Sequence, residues 1–256
     1  MEEDVLAALI AGVAAVCLWL PWFVASRRVV PLAGRRNLGN LYAALPVFCV
    51  AAVLALVWAY AAPVRSNLAE LSLFTLLGAV WLNLTARLID AFASPMTREG
   101  LGRSRSATLL VGGGGMAGAA FCYSGAVIGS EGVLEALIRS LILTGALALL
   151  WYAFEKASRV LGVKRDSAAG LRLGALLAAA GLLLGAAAVG DRTSIIGTLR
   201  DFAGHAWPAA ALLVAAIGAE RMGAGQRLGV AASVTAAAFY LGVALACATL
   251  RRVLGG

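Results

Sequence analysis

Residues 107–130 read ATLLVGGGGMAGAAFCYSGAVIGS, and residues 167–189 read SAAGLRLGALLAAAGLLLGAAAV. The first stretch carries no charge and the second carries only Arg172. Each is long enough to cross the hydrocarbon core of a bilayer as a helix, which takes roughly 20 residues. Both are rich in glycine and alanine, which let helices approach closely in lipid. They predict two membrane helices with tightly packed faces.

The rest of the chain has the same character. Of its 256 residues, 62% are hydrophobic and 13% are charged, whereas soluble domains are roughly half apolar and a quarter charged. We predict an all-α polytopic membrane protein, residues 1–256 forming a single membrane domain of about eight transmembrane helices. The apolar runs cover residues 5–25, 41–62, 70–92, 107–130, 134–154, 167–189, 202–219 and 227–250.

The eight runs group into pairs with a common pattern. Each pair has an apolar helix, a basic turn and a second helix rich in small residues, and Arg-Leu-Gly opens the second helix twice, at Arg172 and Arg227. Because every unit holds two helices, successive units have the same orientation, unlike the inverted repeats of many transporters. We predict four parallel hairpin repeats, approximately residues 5–65, 68–130, 134–190 and 194–250.

The charges predict the orientation. Most of the 21 basic residues lie in the turns inside the four hairpins, and the positive-inside rule places such turns in the cytoplasm. We therefore expect a multi-pass protein of the bacterial inner (plasma) membrane with both termini outside; Arg251 and Arg252 run against this at the C-terminus. The net charge of +8 is explained by these turns, and no nucleic-acid partner is expected.

Metal, disulfide and cofactor chemistry is not indicated. The cysteines lie singly in apolar runs, without CxxC spacing, and His205 is the single histidine of the chain. The cysteines are Cys17, Cys49, Cys122 and Cys247. No cofactor and no metal site are expected.

Ser124 is the one residue that suggests a nucleophile. It lies in Tyr123-Ser124-Gly125, but the Gly-x-Ser-Gly pattern of rhomboid-type proteases is broken by Cys122 at its first position. A nucleophile also needs a base within hydrogen-bond reach, and nothing in the sequence shows that His205 lies within reach of Ser124. We interpret Ser124 as an interhelical hydrogen-bonding residue and expect no enzymatic activity.

Polar residues near the ends of the runs form the candidate polar or interfacial sites. Pairs three or four residues apart share a helix face and can form ion pairs, as in Arg87–Asp90 and Glu155–Arg159, and Glu135 can pair with Arg139 in this way. Two interpretations stay open: ion pairs that anchor the hairpins, or a polar vestibule on the cytoplasmic side where the hairpins meet. The candidates are Asn83, Arg87, Asp90, Arg105, Arg139, Glu155, Arg159, Arg172 and Arg227.

Glycines spaced four apart form the candidate packing sites. This spacing puts small residues on one face, so that helix backbones can come together. The glycines could instead line a path for a substrate, and the sequence leaves both interpretations open. The candidates are Gly114, Gly118, Gly174, Gly181 and Gly185.

Three short segments carry a resemblance to a known family. Residues 86–90 (ARLID), 94–97 (SPMT) and 105–107 (RSA), followed by a glycine-rich helix, resemble the bacterial domain of unknown function 350 family. That family is a helical hairpin of about this size, usually in tandem, with Gly-Asn-x-Ala opening the second helix. The first unit keeps the asparagine as Asn37, whereas the other three units have arginine there.

The resemblance implies an inner-membrane protein built from hairpin repeats, with no established catalytic residues. Some members resemble components of systems encoded beside aminopropyltransferase-like (polyamine) enzymes, which implies a cytoplasmic enzyme partner. Our first expectation is therefore a non-enzymatic membrane module or scaffold that partners cytoplasmic enzymes, with a homo-oligomer left open. One alternative is a transporter or channel for a small molecule, ion or lipid, although the sequence places no acidic residue at mid-membrane to bind a coupling ion. The other alternative is an intramembrane enzyme using Ser124 or His205.

Overall fold

The computed structural model describes residues 2–29, 36–100, 105–161, 168–188, 206–222 and 230–255, in places the backbone alone. Nothing in these ranges forms a strand, which confirms the all-α prediction for the described part of the chain. Nine helices are described: α1 (Glu2–Val29), α2 (Arg36–Tyr60), α3 (Ala62–Arg65), α4 (Leu68–Gly100), α5 (Arg105–Ile128), α6 (Val133–Val160), α7 (Ala169–Ala188), α8 (Trp207–Met222) and α9 (Val230–Gly255).

Five of these helices are long and apolar enough to cross a membrane. Within the described residues, α1 and α2 have shorter apolar segments, Ala8–Leu20 and Ala44–Tyr60, and α8 has 16 residues. The helices thus have the character of a membrane protein. The five qualifying segments are Leu68–Ala86, Leu109–Ile128, Val133–Val160, Ala169–Ala188 and Val230–Leu250.

α5 is helical despite four consecutive glycines, Gly112 to Gly115. Each interior glycine costs a helix about 1 kcal/mol relative to alanine in water. In lipid the balance differs, because an unpaired backbone group has no water to bind and the helix satisfies every such group within the segment. An apolar environment thus favours the helix even where side chains contribute nothing.

The long helices contact each other in two rows. The second helices of the sequence pairs touch in succession, α2 to α5, α5 to α7 and α7 to α9, and the first helices do the same, α1 to α4, α4 to α6 and α6 to α8. The α5–α7 contact is the most extensive in the described structure. It therefore lies at the middle of the row of second helices.

α5 takes part in two separate hydrophobic cores. Its residues Met116 and Tyr123 pack with α1, α2 and α4, whereas Val111 and Cys122 pack with α6, α7, α8 and α9. α5 consequently contributes to both cores, and its contact with α7 is the most extensive one between the two halves of the described chain.

Candidate functional site

The α5–α7 contact is a backbone-to-backbone seam. At one end Gly170 lies against Ala107, and at the other Gly125 lies against Gly185. The contact positions advance in the same direction on both helices, so α5 and α7 run parallel. We call the following residues the glycine seam: Gly114, Gly118, Gly125, Gly170, Gly174, Gly181 and Gly185.

The seam leaves no room for side chains. A Cβ atom on Gly118 would lie 2.7 Å from the Leu177 carbonyl oxygen, and one on any other seam glycine would be closer still to backbone atoms. By contrast, a Cβ on Gly112 of the same helix would meet nothing within 4 Å. The hydrogen in the Cβ position of Gly114 points at the Gly174 carbonyl, which is the geometry of a weak Cα–H···O bond. These contacts favour packing over a glycine-lined path between α5 and α7.

All five glycines chosen from the sequence lie on the seam, and two seam glycines were missed. Gly125 follows Gly118 by seven residues and Gly170 precedes Gly174 by four, so both continue the same helix face. Extending the pattern of small residues by one further step would have found them.

Arg172 lies at the centre of a buried polar cluster formed by three helices. Its Nε donates to Glu220 Oε1 at 2.6 Å, its Nη2 donates to Glu220 Oε2 at 3.0 Å, and its Nη1 donates to Ser233 Oγ at 2.7 Å. Arg172 and Glu220 are 3% and 7% exposed, and Ser233 is fully buried. This two-point geometry is the strong form of an arginine–carboxylate pair, and it ties the start of α7 to the end of α8 and the start of α9.

Arg139 organises the turn between α5 and α6. Its guanidinium contacts Glu135 Oε1 at 2.5 Å and donates to the Gly129 carbonyl. Glu135 Oε2 also accepts the Glu131 backbone N–H at 2.9 Å. The expected Glu135–Arg139 pair is thus present, and it holds the turn as well as the first turns of α6.

Asn83 joins α4 to α1. Its Nδ2 donates to the Leu18 carbonyl at 2.7 Å, and the neighbouring Trp19 donates its indole N–H to the Ala79 carbonyl at 2.9 Å. Asn83 is 2% exposed, and its Oδ1 has no hydrogen-bond partner among the described residues. The amide serves as a contact between α1 and α4 and is buried within the protein.

Glu155 and Arg159 differ in environment although they share a helix face. Glu155 is buried at 1% exposure, whereas Arg159 is exposed. The nearby Trp151 ring stacks on Phe154 with a centroid distance of 5.2 Å. The buried carboxylate and the two aromatic rings occupy the last turns of α6.

Ser124 does not make the interhelical hydrogen bond that we expected. It is buried, and its Oγ donates to the Ala120 carbonyl of its own helix at 2.8 Å. Serine can satisfy its hydroxyl one turn back in this way wherever it lies on a helix. The hydroxyl that does link helices nearby belongs to Tyr123, which donates to the Phe74 carbonyl of α4 at 2.7 Å.

Several sequence candidates lie outside the described part of the structure. This applies to Arg227 and His205 as whole residues, and to the side chains of Arg87, Asp90 and Arg105. Within the described ranges, no group of three or more His, Cys, Asp or Glu side chains could hold a metal ion. The four cysteines are unpaired thiols.

No protein-family model, curated protein or solved structure matches the chain.

Proposed function

We propose that the protein is a non-enzymatic module of the bacterial inner membrane that acts as a scaffold for a cytoplasmic enzyme. The observation that carries this proposal is the glycine seam. The two most enclosed of the five long apolar helices meet backbone to backbone, so the contact between α5 and α7 is packed and leaves no space for a substrate along the described seam. A bundle of this kind is suited to holding a fixed shape in lipid.

The buried polar groups support the same proposal. Arg172 and Glu220 pair with each other, and Arg139 pairs with Glu135 and the adjoining turn. Charged groups inside membrane segments are costly, and they face the bundle interior or a cavity and pair with one another or with backbone carbonyls. Here they join helix ends, which is the role expected of a structural module.

We further propose eight spans arranged as four parallel hairpins. The two-row order of contacts supports this arrangement, because equivalent helices of successive pairs touch in sequence order. Large apolar side chains lie exposed on the outer helices, among them Leu9, Phe48 and Phe239. Lipid would cover them in a membrane, whereas water would not tolerate so many.

The partner enzyme is the part of the proposal that rests on the resemblance to the domain of unknown function 350 family. Its docking face would be the cytoplasmic side, where the positive-inside rule places the hairpin turns. Lys156 and Arg221, both exposed, lie at helix ends that would face this side.

Reporter fusions test the eight-span topology. We expect alkaline phosphatase to be active when fused after Ser66, after Ser130 or at the C-terminus, and inactive after Gly162 or Gly225, because it folds only outside the cytoplasm. A cytoplasm-dependent fluorescent reporter should give the reverse pattern. Phosphatase activity after Gly225 would show that α8 does not span, and a fully inverted pattern would overturn the orientation.

Cross-linking in intact cells followed by purification tests the scaffold. We expect a stoichiometric cytoplasmic protein with the parent chain and its loss in a variant carrying Lys156→Glu and Arg221→Glu. The matched control is Glu131→Lys, an exposed charge reversal at the opposite end, which should retain the partner. Recovery of the bare protein in several detergents, together with ion or small-molecule flux in liposomes, would favour the transporter instead.

A further inference from the structure

α8 is short over its described residues. These 16 residues extend about 24 Å at roughly 1.5 Å per residue, compared with a hydrocarbon thickness of about 30 Å. It packs on α6 and α7 through a narrow buried face. The apolar members of that face are Ala209, Leu212, Leu213 and Ala216.

The buried end of α8 also carries a charge. Glu220 lies in the last turn of α8, where the negative end of the helix dipole disfavours a carboxylate, and Arg172 lies in the first turn of α7, where the positive end disfavours a cation. Neither charge is therefore stabilised by its own helix. Glu220 depends on Arg172, because removing one member of a buried pair leaves the other charge without compensation.

The cluster draws on three helices that are separate in sequence. Arg172 belongs to the third hairpin of the proposed arrangement, and Glu220 and Ser233 belong to the two helices of the fourth. Since α8 and α9 make no extensive contact of their own in the described structure, Arg172 is a direct polar link between them. The guanidinium therefore bridges the two helices of the fourth hairpin.

We propose that the Arg172–Glu220–Ser233 cluster is a latch that docks α8 onto α7, and that α8 leaves the bundle when the latch is broken while the glycine seam stays closed. This inference rests on the proposed membrane embedding. α8 could move in this way because it packs against the other described helices through one face only.

The test uses the full-length solubilised protein with its native cysteines replaced by alanine or serine. A reporter thiol is introduced by Ala216→Cys, at a position 1% exposed one turn before Glu220, and its rate of reaction with a water-soluble maleimide is measured. We expect Arg172→Gln to raise this rate by about tenfold or more, because the unpaired Glu220 moves towards water and draws the end of α8 with it. Glu220→Gln should raise the rate less, since the variant has no carboxylate at residue 220 that would favour exposure of this end of α8 to water.

Two further variants and two further reporter thiols serve as controls. The charge exchange Arg172→Glu with Glu220→Arg should restore a slow rate, and Arg221→Gln, an exposed charge beside Glu220, should leave it unchanged. A thiol at Ala120→Cys, buried in the other core, should stay slow in every variant, and Leu213→Cys provides a second reporter on α8. An unchanged rate in Arg172→Gln at both α8 reporters, or an equal rise at residue 120, would overturn the latch.

Membrane embedding is tested separately by washing membranes with alkaline carbonate in the absence of detergent. Release of the parent protein in this wash would refute the embedding itself.

Discussion

One added methyl group at Gly181 is expected to lower the melting temperature of the solubilised protein by about 10 °C, a loss of about 3 kcal/mol in stability. The Cβ of an alanine at this position would lie inside contact distance of the Gly118 backbone. Backbone atoms of a helix cannot rotate aside as a side chain can. α5 and α7 would have to separate, and the whole seam would lose its dispersion contacts.

The matched control is Gly112→Ala on α5. Its Cβ meets nothing within 4 Å, and alanine favours the helix over glycine, so stability should be unchanged or raised by up to about 1 kcal/mol. Melting is followed by the loss of the monodisperse peak in size-exclusion chromatography after heating. Equal melting temperatures for the two alanine variants would show that the seam does not hold the helices together.

The second large effect is expected at Tyr123, whose replacement by alanine should cost about 4 kcal/mol. The side chain is fully buried, its ring packs over Gly78, where a Cβ would come within 2.9 Å of Cε1, and its hydroxyl donates to the Phe74 carbonyl. Removing the ring leaves a cavity between α4 and α5 that two helices cannot close without moving.

Two comparisons separate the ring from its hydroxyl. Tyr123→Phe should cost only about 1 kcal/mol, since one hydrogen bond is lost while the packing stays. Tyr152→Ala removes a tyrosine that is 50% exposed and should change stability by less than about 0.5 kcal/mol. The same heated-sample chromatography measures all three variants. A phenylalanine variant as unstable as the alanine variant would contradict the packing argument.

The helices and the glycine-rich faces of α5 and α7 could be predicted from the sequence because both depend on local pattern, whereas the pairing of these two faces could not. Apolar runs fix the helices, and a spacing of four between glycines such as Gly181 and Gly185 fixes one face of one helix. The Glu135–Arg139 pair could be predicted for the same reason, because its two residues lie one helical turn apart. No information on distant segments was needed.

The remaining contacts join segments that no periodicity connects. Glu220 pairs with Arg172 across 48 positions, and Asn83 reaches Leu18 across 65, so only the packing of the helices brings them together. Ser124 was misjudged for a different reason. A serine hydroxyl has an acceptor within its own helix, and the sequence does not reveal whether it uses that acceptor or one on a neighbour.

The place of α5 in two cores has a consequence for how the chain is made. Synthesis proceeds from the N-terminus, so α1 to α5 emerge before α7 exists. The core around Tyr123 can then form at once, while the glycine face of α5 stays covered by lipid for some seconds. Because of the order of translation, α5 can already be packed against the first helices when α7 is made, and α7 then packs onto its glycine face. The parallel seam is then the last of the extensive contacts of α5 to form, since its partner helix is the last to be made.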